Sequence, residues 1–390
     1  MDCGLKSADQ KSRTVGLRKL LIVAQLPPPV HGAAVVNAMV VNSLEIRKRF
    51  DVEVVPIDVS SRLSELRKFS VVKVIRSLRV LAKIFGSVAF KRPQICYLTL
   101  APHGYAFYRD CVFVAVFRIF KVPHVIHLHG RGMAGSHREG IPAFFAKFAL
   151  RKAMVIHLSP LLMDDIAGFV CSSHVRIVAN GVVDPFIGQS IQKPRNLVTN
   201  ILFLSTMLES KGPWVLLEAL SILKQQGLPF KAIFAGPWRD SLNADEFHQF
   251  LQKAGIESQV QHVGPVYGDA KNAVLREADI LAFPTHYENE AFPLVVLEGM
   301  AAGLVPVTSN IAALPDIVGE VGFLVPPKNP VALAQALKKL LLDPDLMVSL
   351  QLKSRARYEE KFTSHRFELS LAQVFEDVAS ERRAAEYKKP

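Results

Sequence analysis

Two carboxylates at a fixed spacing are the residues of this chain best placed to do chemistry. Glu290 and Glu298 lie eight positions apart in the segment HYENEAFPLVVLEGMAAG, residues 286–303. Pro293 stands between them, and proline suits the first position of a helix because its φ is already set and its missing N–H would have no partner there. We therefore predict that Glu290 lies in the loop before a helix and that Glu298 lies about one and a half turns inside it.

The same segment predicts a binding site for an anion. The backbone amides of Ala291, Phe292 and Leu294 would be donors without helical partners at the start of the helix, and a helix N-terminus favours negative charge. The two carboxylates beside it can accept hydrogen bonds from hydroxyl groups. A sugar joined to a nucleotide diphosphate combines these two chemistries, whereas an arbitrary glutamate on a helix is most often only solvated.

Further candidates lie where predicted strands give way to turns. Lys211 precedes Gly212 at a strand-to-helix turn, where a lysine can reach a diphosphate as a point charge and stabilise it as a leaving group. A single loop lysine is otherwise usually just solvated. His129 ends the strand in HLHG and would face an inter-domain cleft, unless it is a buried histidine bonded to a carbonyl. His127, two residues earlier on the same strand face, is the alternative candidate.

The length and composition of the chain predict a globular protein of two domains. The 390 residues exceed what one domain usually holds, half of them are apolar and 21% are charged. The four cysteines show no CxxC spacing, and the polar N-terminus lacks the apolar core of a signal peptide. We therefore expect reduced thiols in a cytoplasmic protein. No apolar run in the sequence is long enough to cross a bilayer.

Charge is distributed unevenly along the chain. Residues 1–195 hold 28 Lys/Arg and 12 Asp/Glu, whereas residues 196–390 hold 19 and 23. The segment 62–92 alone holds nine basic residues and one acid, and a helical wheel separates basic from apolar positions. The basic positions are Lys73, Arg76, Arg79 and Lys83, and the apolar ones are Val74, Ile75, Leu78, Leu81 and Phe85. This pattern favours peripheral contact with the anionic inner face of a membrane over an ordinary core-facing helix with a solvated basic back.

Nucleic acid is not predicted as a partner of the basic half. The charge of 62–92 has no aromatic stacking platform and no nucleic-acid-binding motif beside it.

Short apolar strands alternate with helical segments along the whole chain, which is typical of parallel sheets covered on both faces. The pattern pauses at 188–200, GQSIQKPRNLVTN, which has no apolar period. We therefore predict an α/β fold of two doubly wound, Rossmann-like domains facing across a cleft, with ligands bound beyond the carboxyl ends of the strands. The predicted parts are an N-terminal domain at 1–187, a linker at 188–200, a C-terminal domain at 201–363 and a helix at 364–390 that could cross back to the N-terminal domain.

Four motifs in the second half resemble those of the retaining family-four glycosyltransferases, which have the GT-B architecture. They are the carboxylate pattern ENEAFPLVVLE, the turn ESKGPWVLLEAL, the strand ADILAFPT and the run AGLVPVTSNIAALPDIV, in matching order and spacing. The first half is similar more loosely, through Gly32, HLHG at 127–130 and VANG at 178–181. The resemblance implies that the first domain lies on the acceptor side and that the second binds the nucleotide sugar.

The resemblance also implies roles for single residues. Glu298 would accept hydrogen bonds from the ribose hydroxyls, while Glu290 would contact the transferred sugar and offset positive charge at its anomeric carbon. His129 would contact the donor sugar, and Gly32 would let the backbone approach the diphosphate closely. The catalytic residues are thus expected to be Glu290, His129 and Lys211, and the donor-binding residues Glu298, Gly32, Ala291, Phe292, Leu294, Gly236 and Thr206.

Two positions depart from the family pattern. Thr206 stands where the family commonly has an arginine, five residues before Lys211. Diphosphate binding would then rest on Lys211 alone or take a cation from the first half, for which Arg131 and Arg138 are candidates. His31-Gly32 stands where the family often has two glycines.

No metal or other cofactor is predicted. His127 and His129 lack a third ligand nearby in sequence, and the acidic pair in Asp343-Pro344-Asp345 is better explained as a helix cap. We expect cations and amides to stabilise the diphosphate instead.

These observations predict a hexosyltransferase that moves a sugar from a nucleotide diphosphate donor to a hydroxyl acceptor, such as a glycan, a polysaccharide or a lipid-linked intermediate. The resemblance implies that anomeric configuration is retained. Two alternatives stay open, a nucleotide-sugar epimerase on the same fold and a sugar-nucleotide-binding protein with little turnover. An NAD-dependent dehydrogenase is disfavoured, because no GxGxxG follows any strand.

Overall fold

The computed structural model describes residues 16–58, 71–137, 139–189, 198–239 and 243–387. Within these ranges the chain forms two six-stranded parallel sheets. The first sheet has the order β2-β1-β3-β4-β5-β6 and consists of β1 (Arg18–Ala24), β2 (Phe50–Pro56), β3 (Ile95–Leu100), β4 (His124–Leu128), β5 (Met154–His157) and β6 (Val175–Ile177). The second has the order β12-β11-β10-β7-β8-β9 and consists of β7 (Thr199–Leu204), β8 (Phe230–Ala235), β9 (Val260–Gly264), β10 (Ile280–Phe283), β11 (Val305–Ser309) and β12 (Phe323–Val325).

Helices cover both faces of each sheet, which is why the central strands are continuous apolar runs. The strands β4, β5, β10 and β11 are buried at every residue. The helices of the first half are α1 (Gly32–Asn42), α2 (Leu44–Arg49), α3 (Val71–Gly86), α4 (Gly104–Ile119), α5 (Met133–Ser136) and α6 (Gly140–Leu150). Those of the second half are α7 (Pro213–Gln225), α8 (Ala244–Ala254), α9 (Gly268–Glu277), α10 (Leu294–Ala301), α11 (Leu314–Val318), α12 (Pro330–Leu342), α13 (Pro344–Lys361) and α14 (Ser364–Tyr387).

Each sheet has one point at which the strand order changes direction. In the second sheet that point lies between the neighbours β7 and β10. In open parallel sheets the loops leaving such a pair of strands diverge and open a crevice at their carboxyl ends. The loop after β7 carries Lys211 and the loop after β10 carries Glu290, so the topology alone brings these two residues to one crevice.

The chain returns to the first sheet after completing the second. Helix α14 packs against α1 and α2, and its Phe375 lies in a core with Tyr97 and Phe50. A bridge between Val182 and Thr363 brings together the end of the first half and the start of α14.

The predicted α/β class with two Rossmann-like domains is confirmed by the two sheets and their helices. The domain boundaries stay predictions, and residues 190–197 of the expected linker lie outside the described ranges. Strand β4 ends at Leu128, so His129 lies just beyond the strand that it was predicted to end. Asp343 caps α13 by accepting from the Leu346 amide at 2.9 Å, as the helix-cap interpretation expected.

The basic segment at 62–92 is described from residue 71 onward, as α3 followed by a single π-helical turn at Ser87–Lys91. The helix buries Lys73, Ser77, Val80 and Ile84. The apolar side predicted from the helical wheel is not the buried side, because Ile75, Leu78 and Phe85 are exposed. No helix in the described part of the chain is long and apolar enough to cross a membrane.

Candidate functional site

The loop between β10 and α10 positions the two carboxylates. Pro293 is the N-cap rather than the first residue of α10, which begins at Leu294. Its extended ψ of 116° explains the difference, since the chain has not yet turned into the helix at the proline. Glu298 is consequently the fifth residue of α10, just over one turn inside it. The prediction of one and a half turns was slightly too long.

A glycine turn brings Lys211 to this loop. Gly212 has φ +86°, and a Cβ at this position would lie 2.1 Å from the Pro284 carbonyl oxygen. The turn can therefore pack directly against the end of β10 only with glycine. The His286 amide donates to the Ser210 carbonyl at 2.7 Å and holds the two loops together.

Lys211 and Glu290 form an ion pair in which Nζ lies 2.6 Å from Oε2. The Thr285 hydroxyl donates to the same carboxylate oxygen at 3.3 Å. The Lys211 ammonium also lies 4.6 Å from the centre of the Tyr287 ring. Glu290 is only 8% exposed, so water screens this pair weakly and the mutual attraction is larger than at a surface. The structure thus joins the cation and one of the carboxylates that the sequence singled out.

Glu298 has a basic partner that the sequence did not point to. Lys271 of α9 lies with Nζ 2.8 Å from Glu298 Oε1, and both side chains are half-buried. No motif marks Lys271, because its partner lies 27 residues away on another helix. Each of the two candidate carboxylates is therefore held by a lysine from a neighbouring element.

The amides expected to bind an anion lie in the same loop. The side chains of Ala291 and Phe292 are buried in the hydrophobic core, with Phe292 against the ring of Phe362, so only their backbone can serve a ligand. In the described part of the chain, the N–H groups of Ala291, Phe292 and Leu294 have no hydrogen-bond acceptor. The half-buried Leu294 packs against core residues of both halves.

Buried imidazoles gather at the carboxyl end of the first sheet. His127 is fully buried, with Nδ1 2.8 Å from the Tyr97 hydroxyl, and its ring centre lies 4.0 Å from that of His129. Both ring nitrogens of His129 are shielded from solvent and have no hydrogen-bond partner in the described structure. Burial, together with the charges of His31 and His157, lowers the pKa of His129 to about 3, so the ring is neutral at neutral pH. His129 is thus the better candidate for a ligand contact, because His127 already uses one ring nitrogen on the Tyr97 hydroxyl.

Gly32 lies at the start of α1, across the carboxyl ends of the first sheet. A Cβ added there would meet nothing within 4 Å, so packing does not require glycine at this position. His31 is the N-cap of α1, and its Nδ1 accepts from the Ala34 amide at 3.4 Å. That bond fixes the proton on Nε2 of the neutral ring, and Nε2 is buried without a partner among the described residues.

Gly236 is required by close backbone packing beside the end of β7, unlike Gly32, where a side chain would meet no neighbour. A Cβ at this residue, whose φ is +155°, would lie 1.7 Å from the Ser205 carbonyl oxygen at the end of β7. The Thr206 carbonyl accepts from the Leu208 amide at 2.8 Å, which helps to form the turn that carries Lys211. Gly236 and Thr206 therefore support the loop after β7 through the backbone.

Arg131 and Arg138 are the two candidate cations of the first half. Arg131 donates to the Asp164 carboxylate at 3.0 Å, so its charge is already paired within the first half. Arg138 lies outside the described residues. Within those residues no group of three or more His, Cys, Asp or Glu side chains could hold a metal ion, and the expectation of a metal-free site stays a prediction.

The two halves meet directly beside the site. A Cβ at Gly132 would lie 3.0 Å from Asn289 Oδ1, in the loop that holds Glu290. The Ser159 hydroxyl donates to the Asp316 carboxylate across the same boundary. These contacts bring the loop of Glu290 next to Gly132 of the first half. That His31, Gly32 and His129 face Lys211, Glu290 and Glu298 across one crevice stays a prediction.

The second half of the chain is similar to a known protein family. Residues 191–361 match the model of the glycosyl transferases group 1 family. The amylovoran biosynthesis glycosyltransferase AmsK of Erwinia amylovora is 26% identical over 263 residues, which are 66% of this chain and 63% of AmsK. The D-rhamnosyltransferase WbpZ of Pseudomonas aeruginosa is 31% identical over 169 residues, which are 42% of this chain and 41% of WbpZ. The chain thus spans less than two thirds of the length of these curated relatives.

Solved structures resemble the whole fold. The Anabaena protein HepE, solved in complex with UDP, superposes with a TM-score of 0.69 over 92% of this chain and 100% of its own. A glycosyltransferase from Rickettsia africae superposes with a TM-score of 0.72 over 93% of this chain and 98% of its own. Because the identities are only 17% and 18%, these likenesses show a shared GT-B fold.

Proposed function

We propose that this chain, whose residues 191–361 match the model of the glycosyl transferases group 1 family, moves a sugar from a nucleotide diphosphate donor to a hydroxyl acceptor. The observation that carries the proposal is the buried contact between Lys211 and Glu290 at the N-terminus of α10, with Glu298 one turn further on. A cation, an anion-binding helix start and two carboxylates are the groups that a sugar diphosphate requires.

The donor is a nucleoside diphosphate sugar of the hexosyl type. Glu298 accepts from the ribose hydroxyls, and the amides of Ala291, Phe292 and Leu294 together with Lys211 bind the diphosphate. The UDP found in HepE, which shares the fold, supports this class of donor. The unoccupied hydrogen-bonding capacity of those amides supports the placement of the phosphates.

The transfer proceeds with retention of anomeric configuration. As the bond between the anomeric carbon and the diphosphate oxygen breaks, Lys211 and the amides stabilise the departing charge, and Glu290 offsets the positive charge that develops on the sugar. A diphosphate oxygen on the same face takes the proton of the acceptor hydroxyl as the new bond forms. His129 contributes hydrogen bonds to the donor sugar from a neutral ring.

Lys211 changes partner when the donor binds. In the structure its ammonium is paired with Glu290, although the mechanism needs it on the diphosphate. Glu290 becomes free to accept from sugar hydroxyls once the phosphates attract Lys211. The ion pair therefore holds both groups near their places of action, so that little reorganisation is needed.

The acceptor is a hydroxyl of a glycan or of a lipid-linked intermediate. AmsK, to which two thirds of the chain is similar, is named for the biosynthesis of amylovoran. A protein of this kind acting at the inner face of the membrane fits the basic first half. We propose a cytoplasmic location with peripheral membrane contact through 62–92, of which residues 71–92 are described.

The experiment that tests the function combines donor binding with product analysis. Unfolding temperatures measured with a panel of nucleotide sugars should rise for the true donor, because a ligand that binds only the folded state stabilises it. NMR of the product formed from that donor and a glycan acceptor should show transfer and the unchanged anomeric configuration. Inversion of the product would contradict the retaining mechanism, and no stabilisation by any nucleotide sugar would contradict the proposed site.

The same assay separates the two alternatives. An epimerase would isomerise the nucleotide sugar without any acceptor. A binding protein would be stabilised by the donor but would form no product with any acceptor tested. This outcome is worth measuring because the chain has Thr206 where the family commonly has an arginine.

A further inference from the structure

Three helices of the first half form one layer over the same face of the first sheet. Helices α3, α4 and α6 are neighbours in the order α3–α4–α6. Their inward residues, among them Ile84, Phe117 and Ala146, share one hydrophobic core with Cys96 and Leu98 of the sheet. The outward sides of all three helices therefore face away from the sheet in the same general direction.

Those outward sides carry several exposed apolar side chains. Along α4, the exposed positions Tyr105, Tyr108, Val112 and Ile119 follow the helical period and form a single stripe. The exposed large apolar residues of the layer are Val71, Val72, Ile75, Leu78 and Phe85 in α3, those four in α4, Phe120 just after it, and Ile141 and Phe144 in α6. We call this set the apolar helix face.

Side-chain contacts join the apolar helix face across the helices. The rings of Phe85 and Phe120 meet edge to face, with centres 5.4 Å apart, at the boundary of α3 and α4. The ring of Tyr108 meets that of Phe145 in α6 in the same way at 5.5 Å. Single exposed apolar residues are ordinary on a protein surface, but a continuous apolar area marks a surface that binds something.

The charge around the apolar helix face is almost wholly positive. The segments 71–92, 104–121 and 139–152 contain twelve Lys/Arg and two acids, Asp110 and Glu139. Asp110 is fully buried and paired with Arg109 at 2.7 Å, so it offers no negative charge to the surface, whereas Glu139 is exposed at the N-cap of α6. Arg79 and Lys83 lie exposed beside the apolar stripe of α3, as Lys121 does after α4.

We infer that the apolar helix face docks on the surface of an anionic membrane. Exposed aliphatic and aromatic side chains enter the boundary between headgroups and acyl chains, while flanking lysines and arginines reach anionic headgroups. A second copy of the chain is a poorer occupant, since two such faces would bring like charges together. The proposal goes beyond the sugar-transfer function, and it extends the membrane contact from 62–92 to three helices.

Docking through the apolar helix face would bring the crevice close to the membrane surface. Helix α4 begins at Gly104, directly after the carboxyl end of β3. The neighbouring His103 would lie 3.4 Å from a Cβ at Gly132, which in turn faces Asn289 of the second half. One end of the apolar helix face thus adjoins the mouth of the crevice. A docked protein presents that mouth to molecules anchored in the leaflet.

Vesicle binding of the full chain tests the inference without any donor or acceptor. We expect the protein to co-sediment with vesicles of phosphatidylcholine and phosphatidylglycerol and to remain in solution with vesicles of phosphatidylcholine alone. Raised salt should release it in part, because the electrostatic share of the binding is screened. Since no sugar chemistry enters the assay, its outcome is independent of whether the proposed function is right.

Two pairs of substitutions separate the apolar and the basic contributions. Arg79→Glu with Lys83→Glu should weaken binding at least about twenty-five-fold, since each cation near an anionic surface contributes a factor of roughly five. Ile75→Ser with Leu78→Ser should weaken it roughly tenfold or more. All four side chains are substantially exposed, so the unfolding temperature should change little, which circular dichroism would check.

Matched controls come from the second half. Lys224→Glu with Lys253→Glu reverses two exposed lysines there, and Val331→Ser with Leu342→Ser removes two exposed apolar side chains. Both controls should bind vesicles like the original protein. Equal binding to neutral and anionic vesicles, no binding to either, or equal losses in the variants and their controls would overturn the inference. A dimer that dissociates on Leu78→Ser, without vesicle binding, would instead assign the face to a second copy.

Discussion

The ammonium of Lys211 and the carboxylate of Glu290 form a salt bridge of 2.6 Å at the point where the order of the second sheet changes direction. The two residues lie 79 positions apart in sequence and reach each other because β7 and β10 are adjacent strands. Under the proposed mechanism, this pair links the group that binds the leaving diphosphate to the group that binds the transferred sugar.

Glu290→Gln and Lys211→Ala should each lower kcat by about a hundredfold to a thousandfold, the size of effect seen when one preorganised charge or donor is removed from an active site. Because the two side chains act as a unit, the double variant should be scarcely slower than the worse single one. Steady-state rates with the donor identified by thermal shift provide the measurement.

Glu288 supplies the matched control for these substitutions. It is a carboxylate two residues before Glu290, but its side chain is exposed. Glu288→Gln should leave kcat within about twofold of the original, as expected for a surface substitution away from the reacting groups. A similar loss in Glu288→Gln and Glu290→Gln would show that the loop is merely sensitive to charge.

Lys271 should act as a positioning residue for Glu298. By binding Oε1 at 2.8 Å it fixes the orientation of the carboxylate and leaves Oε2 for the ribose hydroxyls. Lys271→Met should raise KM for the donor roughly tenfold with a smaller change in kcat, since ribose binding is equal in ground and transition states. Lys271→Arg should restore most of the affinity.

A double-mutant cycle distinguishes positioning from a general loss of stability. In a Glu298→Gln background, Lys271→Met should have almost no further effect on KM, because its partner is already removed. Lys253→Met, an exposed lysine on α8, serves as the control and should bind the donor normally. Additive effects of the two substitutions would contradict the positioning role.

Sequence periodicity and motif order were sufficient to predict the α/β class and to select Lys211 and the carboxylate loop as candidates. Strand alternation specifies a parallel sheet, and the glycine beside Lys211 is demanded by the Pro284 carbonyl. Lys271 could not be predicted, because its contact depends on where the fold places α9 relative to α10 and no local pattern encodes that placement. A motif reveals a functional residue only when the residues next to it in sequence also belong to the motif, and Lys271 lies outside every motif noted in the sequence.

The parts of the apolar helix face in α4 and α6 were missed for a different reason. The segment CVFVAVF at 111–117 is apolar on every side of α4, so its period cannot tell which side meets the sheet. Only the structure distinguishes the buried Phe113 from the exposed Val112. In α3, by contrast, the helical wheel separated Ile75 and Leu78 from the basic positions, and both are exposed.

Acid should destabilise the protein through its buried histidines. Burial lowers the pKa of His157 to about 4, despite the opposing charge of Asp165, and holds that of His127 well below its ordinary value. In the unfolded chain these rings protonate near pH 6.5. Since the unfolded state then binds more protons, stability is complete above about pH 6.5 and falls as pH is lowered through the window down to about pH 4.

The fully buried His157 alone should contribute a slope of up to roughly 1.4 kcal/mol per pH unit within that window. Denaturant unfolding measured at about pH 7.5 and at about pH 5 would show the loss. His157→Gln should be less pH-dependent than the original between these values, whereas His174→Gln, at an exposed histidine, should not change the slope. An identical slope in the original and in His157→Gln would exclude this source of acid sensitivity.

Substitution by alanine should affect stability at Gly236 and donor binding at Gly32. Gly236→Ala places a methyl group 1.7 Å from the Ser205 carbonyl, so the backbone must move, and we expect a cost of at least about 2 kcal/mol in the free energy of unfolding. Gly32→Ala places the methyl group in open space at the first position of α1, where stability should change by less than about 1 kcal/mol.

If the donor diphosphate approaches the backbone at Gly32, the added methyl group should nevertheless weaken donor binding roughly tenfold, since it occupies the space that the phosphates need. Thermal unfolding and calorimetric titration of both variants measure the two effects, and donor binding by Gly32→Ala at the original affinity would remove Gly32 from the proposed site.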